Sequence, residues 1–314
     1  MANAPSSRRV LAVSFAVDLF DVASNLVVGL LTGSAVVFSE MAQGLADSTG
    51  SALLVIGERR SKRQSDDAHP CGYAREAFFW GLLSAVAMLV IGAGLSAWRG
   101  YQQLVNPSPL EAPLLAIAVV GLAVVTNGYA VSLSLRKLVA ENGSIGRVIT
   151  GMSQPLVKSA LLRDSIGTFT SIIGLVALAL YWWLDLLIFD ALGALAAAGM
   201  MVAASLVLMV QARALITGQS LPEDLLVRVR GEVLSTPGVE AVNRLDAVYS
   251  GTSQVLLDAD LDLAEHLDTA QIEALLDLVE HRVREVLPRL ERVRVILNSP
   301  QVSAKAATIE QRAR

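Results

Sequence analysis

From Ser165 to Ala212 the chain carries two charged side chains, Asp185 and Asp190. From Gly100 to Leu135 it carries one, Glu111, and between Arg9 and Arg59 there is no Lys or Arg. A water-soluble fold cannot leave runs of this length uncharged, because every element must present a solvated face. Lipid accepts such runs, since a helix closes its backbone hydrogen bonds internally. The composition agrees: 54% of the 314 residues are hydrophobic and 17% are charged, against about 25% charged in a typical soluble domain. These runs exclude a cytosolic enzyme, a nucleic-acid binder and a disordered chain. A polytopic helical membrane protein remains.

A spanning helix needs about 20 mostly apolar residues. Six segments qualify: Val10–Leu31, Ala35–Ile56, Phe78–Trp98, Leu114–Leu135, Pro155–Trp183 and Leu186–Val210. Arg8-Arg9 followed by Val10–Val17 look like the start of a signal peptide. Asp18 and Asp21 interrupt that stretch, so a first membrane helix is expected instead. Basic residues alternate between connections. Arg59, Arg60, Lys62, Arg63 and Arg75 lie between the second and third spans, and Arg136, Lys137, Arg147 and Lys158 lie around the fourth-to-fifth connection. By the positive-inside rule both termini are expected to be cytoplasmic.

Residues 1–214 are close to neutral, and 215–314 are net acidic and soluble in character. Helix, strand, strand, helix and strand signals follow one another there. Val255–Leu263 alternates apolar and acidic residues with period two, as a half-buried strand does. Asp268-Thr269 caps the second helix. The expected division is a cytoplasmic N-terminus at 1–9, a six-helix transmembrane domain at 10–213, a cytoplasmic α/β domain at 214–300 and a disordered tail at 301–314. The single Cys71 excludes an intramolecular disulfide and a Cys-rich metal cluster.

Ionisable residues inside spans are costly and mark either functional sites or buried structural pairs. Glu40, Gln43 and Asp47 share one face of the second span. Their oxygens suit a hard or borderline divalent cation, or a hydrogen-bonded helix interface. In the fifth span Asp164 is either a second ligand or a partner of Arg163 or Lys158. Asp18, Asp21 and Asn25 share helical spacing in the first span; Asp18 and Asn25 face a water-filled cavity, or the group forms an internal network or partners the fifth-span bases. Asn127 in the fourth span lines a path or bonds to a neighbouring helix. Asp190 is expected to cap its own helix or to sit at the membrane interface. Asp66-Asp67-Ala68-His69 is a solvated loop or a peripheral metal contact. No P-loop, G-x-G-x-x-G, G-x-S-x-G or H-E-x-x-H pattern supports an enzyme.

Together these residues resemble the cation diffusion facilitator family. Ser39-Glu40-Met41-Ala42-Gln43-Gly44-Leu45-Ala46-Asp47-Ser48 is similar to its second-span signature. Asp66-Asp67-Ala68-His69-Pro70-Cys71-Gly72-Tyr73 is similar to its loop motif. Leu162-Arg163-Asp164-Ser165, Asp190-Ala191-Leu192-Gly193 and Ser235-Thr236-Pro237-Gly238-Val239 match further stretches of it.

The resemblance implies six spans and a small ferredoxin-like, metallochaperone-like cytoplasmic domain. It also implies a homodimer in the cell membrane, in contact with lipid, that exchanges a divalent cation for protons by alternating access. No prosthetic group and no nucleic acid are implied. The transport site carries over to Gln43, Asp47, Ala160 and Asp164. Both aspartates are present, whereas Gln43 and Ala160 depart from the zinc-type pattern. The set left is all oxygen, which favours Mn²⁺, Fe²⁺ or Mg²⁺ over Zn²⁺ by hardness. Glu40, Asn127, Asp18 or water are expected to supply missing ligands. A second, loop-located metal position carries over to Asp66 and His69, with Tyr73 in place of a further His. The metal positions of the tail fall near Asn243, Asp260 and Asn298, so a dimerising tail without a strong metal cluster is expected. The same departures suit a second reading, a non-transporting structural or regulatory member.

Overall fold

The structure is a computed structural model. It describes residues 21–70, 72–142, 155–251, 254–264, 266–288 and 290–298, with backbone alone for 130, 133–134, 137–142, 155–161, 163–164 and 298. The expected segments 1–9 and 301–314, and Asp18, lie outside the described residues. Two compact units are present. One comprises Met1–Lys62 and Glu76–Arg213, and the other Arg63–Arg75 and Ala214–Arg314.

The first unit is helical. Its helices are α1 (Asp21–Thr32), α2 (Ala35–Ser61), α3 (Glu76–Val105), α4 (Pro113–Asn142), α5 (Pro155–Leu184) and α6 (Ile188–Ile216). Several outrun their apolar segments. α2 continues through Arg59-Arg60, because a helix need not end where its apolar run does. α3, α6 and Ser165–Leu184 of α5 are each long and apolar enough to cross a membrane. α2 is less apolar because Ser39, Glu40 and Gln43 are turned into the bundle, where they are buried. Polar residues hidden from lipid lower the hydropathy of a span without exposing charge.

Pro113 and Pro155 stand at the first positions of α4 and α5, where a missing N–H costs least. α3 contains a π-helical stretch, Met88–Ala93. Gly92 within it brings α3 close to α6 and α2: a Cβ there would lie 2.9 Å from Met201 Sδ and 3.3 Å from Ala46 Cβ.

Near the Ser34 end of the unit, α1, α2, α4 and α5 share an apolar cluster. It holds Val28, Val36, Val37, Leu110, Val120, Leu178 and Tyr181, with alanines between them. Tyr181 fits this apolar setting because its hydroxyl accepts the Leu110 N–H at 3.2 Å.

The second unit contains α7 (Glu223–Leu234), β1 (Val239–Tyr249), β2 (Val255–Leu263), α8 (Thr269–Val286) and β3 (Leu290–Asn298). The sheet order is β1-β2-β3, with β1 antiparallel and β3 parallel to β2. The alternation in β2 sets its two faces. Leu257, Ala259 and Leu261 are buried with Val229 and Val233 of α7 and Leu275, Val279 and Val283 of α8. Fully burying a Leu contributes roughly 1.5–3 kcal/mol. Asp258 and Asp260 occupy the alternate positions. Asp268 caps α8 in a reciprocal capping box with Gln271.

Arg63–Arg75 belongs to this second unit, although it joins two helices of the first. A Cβ at Gly251 would lie 3.0 Å from Ala74 Cβ, so this segment packs directly on the turn between β1 and β2.

Candidate metal centre

α2 and α5 are joined side chain to side chain at two adjacent levels. Thr170 Oγ1 donates to Gln43 Oε1 at 2.5 Å. One level toward the Ser34 end, Ser171 Oγ donates to Glu40 Oε2 at 2.8 Å. α4 enters through Asn127, whose Nδ2 donates to Ser171 Oγ at 3.0 Å. Gly167 makes room for this junction, since a Cβ there would lie 3.0 Å from Gln43 Nε2. Glu40, Gln43, Thr170 and Ser171 are all buried.

The structure thus brings together three of the sequence-derived residues, Glu40, Gln43 and Asn127. Asp47 lies one turn beyond Gln43 on the same face of α2, and its Oδ1 is buried. Lys158, Ala160, Arg163 and Asp164 lie in α5, with their side chains outside the described residues. Thr170 and Ser171 carried no signal in the sequence. Hydroxyls are common in membrane helices, where they bond back to their own backbone, so nothing sets these two apart until α2 is laid against α5.

Asp190 is fully buried, and it caps α2 rather than its own helix. Its Oδ1 accepts from Ser34 Oγ at 2.6 Å and from the Val36 N–H at 3.2 Å, and its Oδ2 accepts from the Ala35 N–H at 2.8 Å. Ser34, the N-cap of α2, also accepts from the Val37 N–H. The N-terminal donors of α2 are therefore satisfied by its own serine and by a carboxylate from α6. Arg99 Nη2 donates to Gly33 O at 2.6 Å, fixing the α1–α2 turn to α3. Gly33 adopts φ +70, a left-handed conformation that favours glycine.

In the second unit, Asp66 is ringed by donors. Tyr73 Oη donates to its Oδ2 at 2.7 Å, the His69 N–H to its Oδ1 at 2.8 Å, and Arg63 Nη2 approaches Oδ2 at 3.3 Å. His69 Nδ1 lies 3.5 Å from Oδ1. The Tyr73 hydroxyl, the His69 amide and the Arg63 charge hold the Asp66 carboxyl below the usual carboxylate range. Tyr73 is flanked by the His69 ring, 4.2 Å away between centroids, and by the Arg63 guanidinium at 4.7 Å. A cation bridging Asp66 Oδ1 and His69 Nδ1 would share Oδ1 with the His69 N–H and leave Tyr73 and Arg63 on Oδ2.

On the sheet, Asn243 Nδ2 donates to Asp262 Oδ1 at 3.0 Å and lies 3.5 Å from Asp260 Oδ1. The Asn298 side chain lies outside the described residues. Among the described residues, no group of three His, Cys, Asp or Glu side chains converges in a metal-holding arrangement.

A helical membrane unit with carboxylates and amides turned inward, followed by a small α/β domain, defines a class of membrane transport protein. Residues 11–216 match the profile of the cation efflux transmembrane domain, and residues 221–296 match that of the cation efflux protein cytoplasmic domain. The chain belongs to the cation efflux, or cation diffusion facilitator, family, which consists of transporters rather than enzymes.

It is 27% identical over 288 residues to the mitochondrial proton-coupled zinc antiporter SLC30A9 of Xenopus laevis, covering 88% of this chain and 51% of that relative. It is 26% identical over 258 residues to the cation-efflux pump FieF of Cronobacter sakazakii, covering 82% of this chain and 81% of the pump. The chain therefore spans about half the length of its SLC30A9 relatives, 51% for the frog protein and 46% for that of Mus musculus. A solved nickel form of the MamM CTD aligns at 20% identity, covering 25% of this chain and 98% of that chain, with a TM-score of 0.23.

Proposed function

We propose that this protein exports a divalent metal cation from the cytoplasm by alternating access, in exchange for protons, as a homodimer in the cell membrane. The observation that carries this reading is the oxygen-bearing face of α2, Glu40–Gln43–Asp47, turned into a bundle that belongs to the cation efflux transmembrane domain. Carboxylates held there are expensive unless a cation or proton neutralises them. Asp47 and Asp164 supply the charge of the transport site, and Gln43 supplies a carbonyl oxygen once Thr170 releases it. An all-oxygen set without imidazole favours Mn²⁺ or Fe²⁺, with Zn²⁺ less well suited. The Arg59 end of α2 faces the cytoplasm, following the distribution of Lys and Arg.

The test is metal uptake into liposomes carrying the full chain, with Zn²⁺, Mn²⁺, Fe²⁺ and Co²⁺ supplied separately. Asp47→Ala and Asp164→Ala are each expected to abolish uptake. Uptake unchanged in the double variant would remove this site from the reading. The Thr170–Gln43 bond favours a second reading, a structural or regulatory member that moves no metal, and absence of uptake of all four ions would establish that one.

A further inference from the structure

The bonds around Glu40 have an unusual economy. Ser171 has a single hydroxyl hydrogen and two acceptors in reach, Glu40 Oε2 at 2.8 Å and Gly167 O at 3.0 Å. Thr170 repeats the arrangement, with Gln43 Oε1 at 2.5 Å and Gly167 O at 2.8 Å. Each hydroxyl can turn from α2 back to the α5 backbone without leaving its hydrogen unsatisfied. That rotation frees the Glu40 and Gln43 oxygens at once. It also turns a lone pair of each hydroxyl toward the space between the helices.

A further acceptor stands at this level. Asn25 of α1 is 1% exposed, and its Oδ1 is buried with no hydrogen-bond partner among the described residues. Its Nδ2 is committed to Asp21 O at 2.9 Å, which fixes Oδ1 as the free end. α1 and α2 approach closely on either side of it. A Cβ at Gly44 would meet Val22 Cγ2 at 2.8 Å, and one at Gly29 would meet Phe38 N at 3.6 Å. Asn25 lies between these approaches, level with Glu40 and Met41. A buried amide oxygen left without a donor is destabilising, and a cation would remove that cost.

The layer has a floor and a roof. On one side, toward Arg59, lie Gln43 and Asp47. On the other lies the apolar cluster: a Cβ at Gly174 would touch Val36 Cγ1 at 2.7 Å, Val120 Cγ1 at 3.6 Å and Glu40 Oε1 at 3.8 Å. Glu40 therefore sits directly beneath the apolar cluster that fills the Ser34 end of the bundle.

We propose that Glu40, Asn25 and Ser171 form a second, all-oxygen station for a divalent cation, about two turns beyond Asp47 toward the Ser34 end, with Asn127 Nδ2 positioning the Ser171 hydroxyl. It rests on the transport reading above and divides the path into two steps. Asp47 and Asp164 take the ion first with two charges. The second station then holds it with one carboxylate and neutral oxygens. Fewer charges bind a hard cation more loosely, which suits the last position before release. The apolar cluster above closes the path until the helices part.

The test counts ions. Purified full-length protein is titrated with Mn²⁺, and free Mn²⁺ is read by electron paramagnetic resonance. Glu40→Gln is close to isosteric and is expected to lower the number of Mn²⁺ bound per protomer by one. Asp47→Asn is expected to remove a different ion, and the double variant to remove two. Ser171→Ala keeps Glu40 and is expected to weaken the second ion about tenfold, with the thermal midpoint of the metal-free protein serving as the folding control.

If Glu40→Gln leaves both number and affinity unchanged, the second station is overturned while the transport site stands. If Glu40→Gln and Asp47→Asn remove the same single ion, the two form one site and the inference is likewise overturned. If only Glu40→Gln removes an ion, the second station survives and the transport site at Asp47 is the reading that fails.

Discussion

Asp190 concentrates three hydrogen bonds on one buried carboxylate, all from the start of another helix. Asp190→Ala leaves the Ala35 and Val36 N–H groups and the Ser34 hydroxyl short of an acceptor, and is expected to cost about 2–4 kcal/mol. The measurement is the thermal midpoint in detergent. Asp190→Asn should fall between wild type and alanine, since it keeps one acceptor oxygen. Asp66 makes the opposite kind of prediction, because it is half-exposed and titrates. Its pKa is lowered in the folded state, so its contribution is complete above its unfolded value of about 3.9 and is lost as pH falls through the lower folded value. Tyr73→Phe removes the largest cause and should move the Asp66 titration back up toward that ordinary value, as read by carboxyl NMR. At this scale the sequence was legible where spacing carries meaning. Glu40, Gln43 and Asp47 declare a shared face. The recipient of Asp190 was not legible, because its partners lie over 150 residues away and no local pattern encodes them.

Helix packing in the first unit depends on glycines that let backbones meet. A Cβ at Gly193 would lie 2.5 Å from Ala177 Cβ and 2.7 Å from Val36 Cγ2, the one on α5 and the other on α2. Gly193→Ala must therefore push α6 away from both and is expected to cost about 1–3 kcal/mol, again read as a lower thermal midpoint. Gly199→Ala meets nothing within 4 Å and serves as the neutral control on the same helix. Elements were readable where one period dominated. Val255–Leu263 alternates apolar and acidic residues from Leu257 on, and the strand occupies those residues. Asp268 announces α8, and the capping box is formed. The π-helical stretch in α3 left no mark in the sequence, since Met88–Ala93 simply continues the apolar run before it and only the fit of Gly92 against Met201 gives it a context.

For the whole molecule, orientation is testable with a residue already present. Cys71 is the only cysteine, and its neighbours His69 and Pro70 are exposed. With the Arg59 end of α2 in the cytoplasm, a membrane-impermeant maleimide should label inverted vesicles and leave intact cells unlabelled. The reverse result would invert the topology. The grouping of Arg63–Arg75 with the tail has a consequence for any attempt to take this protein apart. The polypeptide crosses from one unit to the other three times, after Lys62, after Arg75 and after Arg213. A protease that cuts at Arg213 would sever one strand of a three-stranded tether. A fragment beginning at Ala214 would lack the piece that covers Gly251, so its solubility or oligomeric state would describe a domain with an uncovered surface rather than the one built into the intact chain.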